Sequence, residues 1–350
     1  MAVGPSGSST VMLIIRTDAS TQIGIGHFMR CFALAQAWKD RGGQVLFITS
    51  CKIDSLLEKL KTEGFFLYQL DLPYPDKKDL DSTLQLLNST GRDSWLVLDG
   101  YHFDSFYQRT VKEKGHHLLA IDDTAHLPMY WADLILSQNL GFEEIVYHRQ
   151  PYSKLLLGSR YILMRREFTS WKNRERTIST TACKILITLG GGDTGNLSSK
   201  VMQVLQGADI PEMECQVLVG PANTHISSLK EIAKDSIFPV QLLINPSNVP
   251  EIMCWADLAI AAAGSVCWEL AYLGVPGILL APTPYHWQFI TQLQQNNLFL
   301  GCKIDDLLGQ VTRISRQREG REKLSRNCLS LFDGKGGIRI CEMLSDERHD

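Results

Sequence analysis

The sequence predicts an α/β protein with two doubly wound, mostly parallel sheets, one in each half of the chain. Three observations carry this. Short apolar runs suited to buried parallel strands alternate with stretches of helical apolar spacing. The alternation stops near residue 168 and starts again near 184. Between the two cycles lies a polar, charged segment, 169–182, whose composition suits a connection rather than a core element. With 350 residues, 44% of them hydrophobic, the chain is long enough to fill two cores. Two similar halves imply a cleft between them, walled by loops from both sides.

In the first half, residues 11–15 (Val-Met-Leu-Ile-Ile), 44–49, 65–70, 95–98, 117–121 and 134–136 read as strands. Helical spacing covers 28–39, 55–63, 80–88 and 105–114. The second half offers strands at 184–189, 214–219, 240–244, 258–262 and 277–280, with a helix at 197–206. The expected organisation is a disordered leader over 1–11, a first domain over 12–168, a linker over 169–182 and a second domain over 183–350. The last helix is placed to pack back on the first domain. The leader is rich in Gly, Ser and Ala without a basic region followed by an apolar segment, so it does not read as a secretory signal, and Met12 is an alternative start.

A net charge of −3 gives no electrostatic case for nucleic acid or an anionic membrane surface. No apolar run approaches the roughly 20 residues that span a bilayer, so small-molecule partners and no membrane insertion are expected. The nine cysteines form no Cys-x-x-Cys pair, which argues against zinc or a disulfide framework and for buried thiols in a reducing cytoplasm. Metal: none is expected.

Six segments concentrate the chemistry. Arg16-Thr-Asp18-Ala-Ser-Thr-Gln-Ile-Gly-Ile-Gly26-His27-Phe-Met-Arg30 joins the first strand to the first helix and sets one histidine at the carboxyl edge of the sheet. Ligands of open α/β sheets bind there, and an imidazole titrates near neutrality. The alternative is that His27 only caps the helix or bonds a nearby carbonyl. Asp99-Gly-Tyr101-His102 and Asp122-Asp123 follow later strands, bringing their carboxylates to the same edge. Two adjacent acids suggest a metal, but no third ligand accompanies them at telling spacing, and a hydrogen-bonding role fits equally well.

In the second half, Gly190-Gly191-Gly192-Asp193-Thr-Gly-Asn196 runs from strand to helix, where glycine amides and a helix start suit a phosphate. No Gly-Lys-Ser/Thr follows and no Gly-x-Gly-x-x-Gly is present, so it is neither a Walker loop nor a dinucleotide turn. The competing reading is a tight turn in which Asp193 or Asn196 caps the helix. Ala263-Gly264-Ser265-Val-Cys-Trp-Glu269 repeats the arrangement, and Glu269 is spaced to accept two ribose hydroxyls or to favour a helix start. Finally, the proline-rich Ala-Pro-Thr-Pro-Tyr-His286-Trp287-Gln288 offers Gln288 to a ribose or phosphate, whereas Trp287 can simply pack between domains.

Together with Leu157-Gly-x-x-Tyr161-x-Leu-x-Arg165-x-Glu-Phe168, these motifs make nearly the whole chain resemble the UDP-2,4-diacetamido-2,4,6-trideoxy-β-L-altropyranose hydrolases of pseudaminic acid biosynthesis, the PseG family. The carboxyl-terminal pattern is shared with glycosyltransferases of the GT-B type, including the MurG family. The resemblance implies two Rossmann-like domains with parallel sheets facing across a cleft, the GT-B fold. It implies an inverting hydrolase without a cofactor, which binds a UDP-amino sugar and releases UDP, with His27 as general base. Arg16, Asp18, Gly26, Arg30, Asp99, Tyr101, Asp122 and Asp123 would support the sugar side. Gly190, Gly191, Gly192, Asp193, Asn196, Gly220, Gly264, Ser265, Glu269 and Gln288 would hold UDP. One departure stands out: many relatives carry Asn-Gln where this chain has Trp287-Gln288 after His286, which opens the way to a related sugar. The rival readings are a GT-B transferase with an acceptor other than water and a non-catalytic UDP-sugar-binding protein.

Overall fold

A computed structural model describes residues 11–91, 93–141, 145–172, 174–281 and 286–346. The leader, apart from Val11, and the prolines of the 282–285 loop lie outside the described residues.

Strand β1 (Met12–Thr17) is buried along its full length, as the middle strand of a sheet covered on both faces must be. It is followed by α1 (Gly26–Asp40), β2 (Gln44–Thr49), α2 (Asp54–Thr62), β3 (Phe66–Gln69), α3 (Lys77–Thr90), β4 (Trp95–Asp99), α4 (Ser105–Glu113), β5 (His117–Ile121), β6 (Leu134–Ser137) and β7 (Lys154–Leu157). All seven strands are parallel, in the order β3-β2-β1-β4-β5-β6-β7. The chain reverses its direction of winding between β1 and β4, so their carboxyl ends flank the crevice where open sheets take ligands.

After α5 (Arg166–Thr169) come β8 (Lys184–Thr188), α6 (Leu197–Leu205), β9 (Glu214–Val219), α7 (Ile226–Lys234), β10 (Val240–Ile244), α8 (Val249–Trp255), β11 (Leu258–Ala262), α9 (Val266–Tyr272), β12 (Gly277–Leu280), α10 (His286–Gln295), β13 (Leu300–Cys302), α11 (Leu307–Arg316), α12 (Arg318–Leu331) and α13 (Gly336–Asp346). The second sheet is again parallel, ordered β10-β9-β8-β11-β12-β13. The two-sheet α/β architecture is the one the sequence predicts. Sequence reading passes over β7 and β13. The first is a four-residue Lys-Leu-Leu-Leu edge strand and the second only three residues, too short for any periodicity to register.

The halves are tied together twice. Along the connection, Leu163 packs into the first-half core while Ile162, Met164 and Phe168 enter the second-half core. Helix α13 then returns to pack on α1, burying Ile340, Cys341 and Leu344 in the first-half core. All nine cysteines are free, buried or half-buried. Among the described residues, no helix is long and apolar enough to cross a membrane.

Candidate active site

The carboxyl edge of the first sheet is an array of buried charges. Arg16, at the end of β1, is fully buried and donates from Nε to Asp79 at 3.0 and 3.1 Å and from Nη2 to Asp18 at 2.7 Å. Asp18 also accepts from the Ser50 amide (2.7 Å), the Ser50 hydroxyl (2.8 Å) and His102 Nε2 (3.1 Å). Burial disfavours its charged form, but these donors outweigh that and hold its pKa well below the usual carboxylate range. Arg16 and Asp18 are therefore spent on fixing the turn that follows β1.

At the start of α1 the arrangement becomes chemical. His27 Nδ1 lies 2.7 Å from Asp99 Oδ1 at the end of β4, and the imidazole is 15% exposed while Asp99 is fully buried. Asp99 also accepts from Arg30 Nε at 2.6 Å and Nη2 at 2.7 Å. Burial pushes the Asp99 pKa up, yet Arg30 and His27 outweigh it and keep the group ionised. Arg30 Nη2, which can only donate, also lies 3.2 Å from Nδ1, but it already donates to Asp99 Oδ1 at 2.7 Å. The shorter contact of Nδ1 to the ionised carboxylate, which can only accept, assigns the proton to Nδ1 and leaves Nε2 as the basic nitrogen. Nε2 has no hydrogen-bond partner among the described residues. The helix-cap alternative fails on geometry: the start of α1 has no side-chain cap, and the imidazole is turned to Asp99.

Asp122 and Asp123 point to different partners. Asp123 pairs with Arg30 Nη1 and accepts from the Gln138 amide at 3.0 Å. Asp122 accepts from His126 Nδ1 at 2.6 Å, from Thr124 and from the Tyr130 hydroxyl. Burial raises its pKa, but these bonds prevail and lower it to about 2. The Tyr101 ring stands edge-on between His27, at 4.9 Å, and His126, at 5.4 Å, and is 47% exposed. Among the described residues, no group of three or more His, Cys, Asp or Glu side chains is arranged to hold a metal ion.

A cleft of about 490 Å³ opens between the halves. The loop ending at Gly26 forms one wall with Met29, Leu56 and Lys59 of α1 and α2; the opposite wall is Gly190 to Asp193, Gly220, Gly264, Ser265 and Glu269. Of the sugar-side candidates, only Gly26 is in the wall itself, with His27 the next residue. Asn196 and Gln288 do not line the cleft: Asn196 donates to Ser228 at 3.3 Å, and Gln288 is exposed on α10, whereas His286 does reach the wall. A wider, open groove of about 740 Å³ near Trp287, Lys303 and Arg313 shares no residue with it.

The glycines explain how the walls approach. A β-carbon at position 191 would stand 2.2 Å from the Ile25 side chain across the cleft, and one at position 26 would lie 3.4 Å from Ser265 Oγ. At position 220 it would meet Gly191 Cα at 2.4 Å, backbone against backbone. Gly220→Ala is accordingly expected to cost roughly 1–3 kcal/mol in chemical denaturation, the scale of overpacking. Gly264→Ala, whose β-carbon meets nothing within 4 Å, is the neutral control. Equal stability of the two variants would remove the close-approach account.

Asp193 takes the capping role left open by its sequence. Its carboxylate accepts from the amides of Leu197 at 2.8 Å and Ser198 at 3.0 Å. The start of α6 is thus satisfied from within. By contrast, the amides of Gly191, Gly192, Gly264 and Ser265 have no partner among the described residues. They are free backbone donors on the cleft wall and suit an anion. Glu269 Oε1 accepts from Arg165 Nε at 2.9 Å and Nη2 at 2.7 Å, and Arg165 Nη1 donates to Glu167 at 2.6 Å. Burial raises the Glu269 pKa despite Arg165.

Several groups escape sequence reading. Asp79 and His126 carry no motif signal, because their partners Arg16 and Asp122 are identified only by folding. Lys59 looks like one more surface helix lysine; its spacing of three from Leu56, which shares the cleft wall, is the only clue.

No protein-family model matches the chain. An uncharacterised protein of Methanocaldococcus jannaschii is 23% identical over 344 residues, covering 95% of this chain, which spans 66% of that relative's length. The UDP-2,4-diacetamido-2,4,6-trideoxy-β-L-altropyranose hydrolase of Campylobacter jejuni is 24% identical over 269 residues, covering 75% of this chain and 88% of the hydrolase. The chain is homologous to this hydrolase family. The scaffold has the GT-B fold. The crystal structure of MurG from Acinetobacter baumannii superposes with a TM-score of 0.64 over 96% of the chain and 99% of MurG, at 15% identity.

Proposed function

We propose that the protein is an inverting hydrolase of a UDP-linked amino sugar, with UDP-2,4-diacetamido-2,4,6-trideoxy-β-L-altropyranose as substrate, serving pseudaminic acid biosynthesis. The observation that carries this is the His27–Asp99 pair, one residue beyond a cleft whose opposite wall offers free backbone amides. His27 Nε2 takes a proton from water as its oxygen bonds to the anomeric carbon. The C1–oxygen bond breaks on the opposite face and its electron pair leaves with UDP. The amides of Gly191, Gly192, Gly264 and Ser265 meet the charge that gathers on the departing diphosphate. Asp99 holds the imidazole tautomer and steadies the imidazolium, and Arg30 and Asp123 hold Asp99. Glu269, with Oε2 unpartnered among the described residues, is placed for the ribose hydroxyls. The free thiols fit a cytoplasmic setting.

The test is turnover in oxygen-18 water with NMR identification of the products. The expected result is UDP release without any added acceptor, label on C1 of the free sugar and none in UDP. Label in the phosphate would mean phosphorus–oxygen cleavage and end this reading; turnover that requires a second sugar or lipid acceptor would favour a transferase.

A further inference from the structure

The charges lining the cleft are mostly committed within the protein. Asp193 is committed to the start of α6. Arg165 is closed by Glu269 on one side and Glu167 on the other. Lys59 is different. It lies on the cleft side of α2, one turn after Leu56, and makes no ion pair among the described residues. Its ammonium stands 5.7 Å from the centroid of the buried Phe32 ring and near enough to Glu269 to act on that carboxylate. A half-buried lysine that makes no salt bridge among the described residues, and whose charge reaches Glu269 only at longer range, still favours an anion in the cleft.

The opposite wall supplies the other half of an anion site, the free amides of Gly191, Gly192, Gly264 and Ser265. Backbone donors orient phosphate oxygens but carry only partial charge, and a nucleoside diphosphate brings at least two negative charges into a cleft whose remaining ions are already paired. We infer that Lys59 is the cation that recognises the diphosphate, contributed by the first half to a ligand otherwise held by the second. This rests on the nucleotide-sugar reading above and adds to it the residue that distinguishes a diphosphate from a bare nucleoside. It also gives the leaving group a contact from the half that carries His27, fixing the anomeric carbon relative to the base.

The experiment is calorimetric titration of UDP, UMP and uridine into the full chain, its Lys59→Met variant and its Lys59→Arg variant. Wild type is expected to prefer UDP over uridine. Lys59→Met weakens UDP about 10-fold or more, the scale of one charge-assisted contact, leaves uridine within roughly two-fold, and flattens the salt dependence of UDP binding. Lys59→Arg recovers most of the loss. Undiminished UDP binding by Lys59→Met overturns the inference, as does a parallel loss of uridine, which would mark damage to the fold. Wild type binding UDP no better than uridine overturns Lys59 as a diphosphate contact while leaving a nucleoside site; wild type binding neither removes the nucleotide reading itself.

Discussion

Replacing His27 by alanine is expected to lower kcat by roughly 10²–10⁴-fold, the usual contribution of a positioned general base. UDP affinity should stay within about two-fold of wild type, since only Gly26, and not the imidazole, is part of the cleft wall. Steady-state kinetics with a parallel UDP titration separates the two. Asp99→Asn should reproduce most of the kinetic loss by another route: an amide can donate toward Nδ1, so the tautomer with a basic Nε2 is no longer enforced. It should also lower stability, because Arg30 Nε and Nη2 lose the carboxylate they share with His27. His27→Ala lacks that stability penalty, for the imidazole is 15% exposed and its loss leaves the Arg30–Asp99 pair intact. An alanine variant turning over within about three-fold of wild type would remove His27 as the base.

The largest effect on stability is expected at a residue that touches no ligand site. Asp79, in the first turn of α3, is fully buried and receives Arg16 through Nε and Nη2, the Tyr74 amide at 2.8 Å and the Tyr107 hydroxyl at 3.1 Å. Asp79→Ala leaves a buried guanidinium with Asp18 as its one remaining carboxylate partner. Removing one side of such a pair costs about 3–5 kcal/mol, read as a shift in the urea midpoint at unchanged slope. Tyr107→Phe, which removes one hydroxyl bond, should cost only about 1 kcal/mol. Replacing Arg16 and Asp79 together by Met and Leu should recover much of the single-variant loss, because the cost lies in the orphaned charge. A single variant as stable as wild type would contradict the burial on which this rests.

The residues that sequence reading and structure share are those whose requirement is local. Six strands, among them those at 44–49, 117–121 and 214–219, have the bounds their apolar runs predict. Strands buried on both faces past their first residue, as at 44–49 and 117–121, must be mostly apolar, so their limits are written in composition. The glycine turn at 190–192 is legible because Gly190 takes a positive φ of 88° and a β-carbon at 191 or 192 would crowd Ile25 or the Thr21 carbonyl, whereas Gly264 has open space around it and is required by no contact of its own. Asp193 is the instructive intermediate. Its position in a strand-to-helix turn fits a phosphate contact and a helix cap equally, and its bonds to Leu197 and Ser198 show the cap.

By itself, then, the sequence determined the two-sheet architecture, the turns that crowd the carboxyl edges of both sheets, and His27 as the titratable group at the first of them. Tertiary structure alone decided which charges meet. Arg16 finds Asp79 across 63 positions, His27 finds Asp99 across 72, and Arg165 finds Glu269 across 104. The reason is physical: secondary structure follows from neighbours a few residues apart, whereas a buried ion must have a partner wherever the fold brings one within about 3 Å. Lys59 belongs to the same class, since its lack of a salt bridge among the described residues becomes visible only once the fold has paired Arg165 with Glu269 and Glu167 and committed Asp193 to the amides of α6.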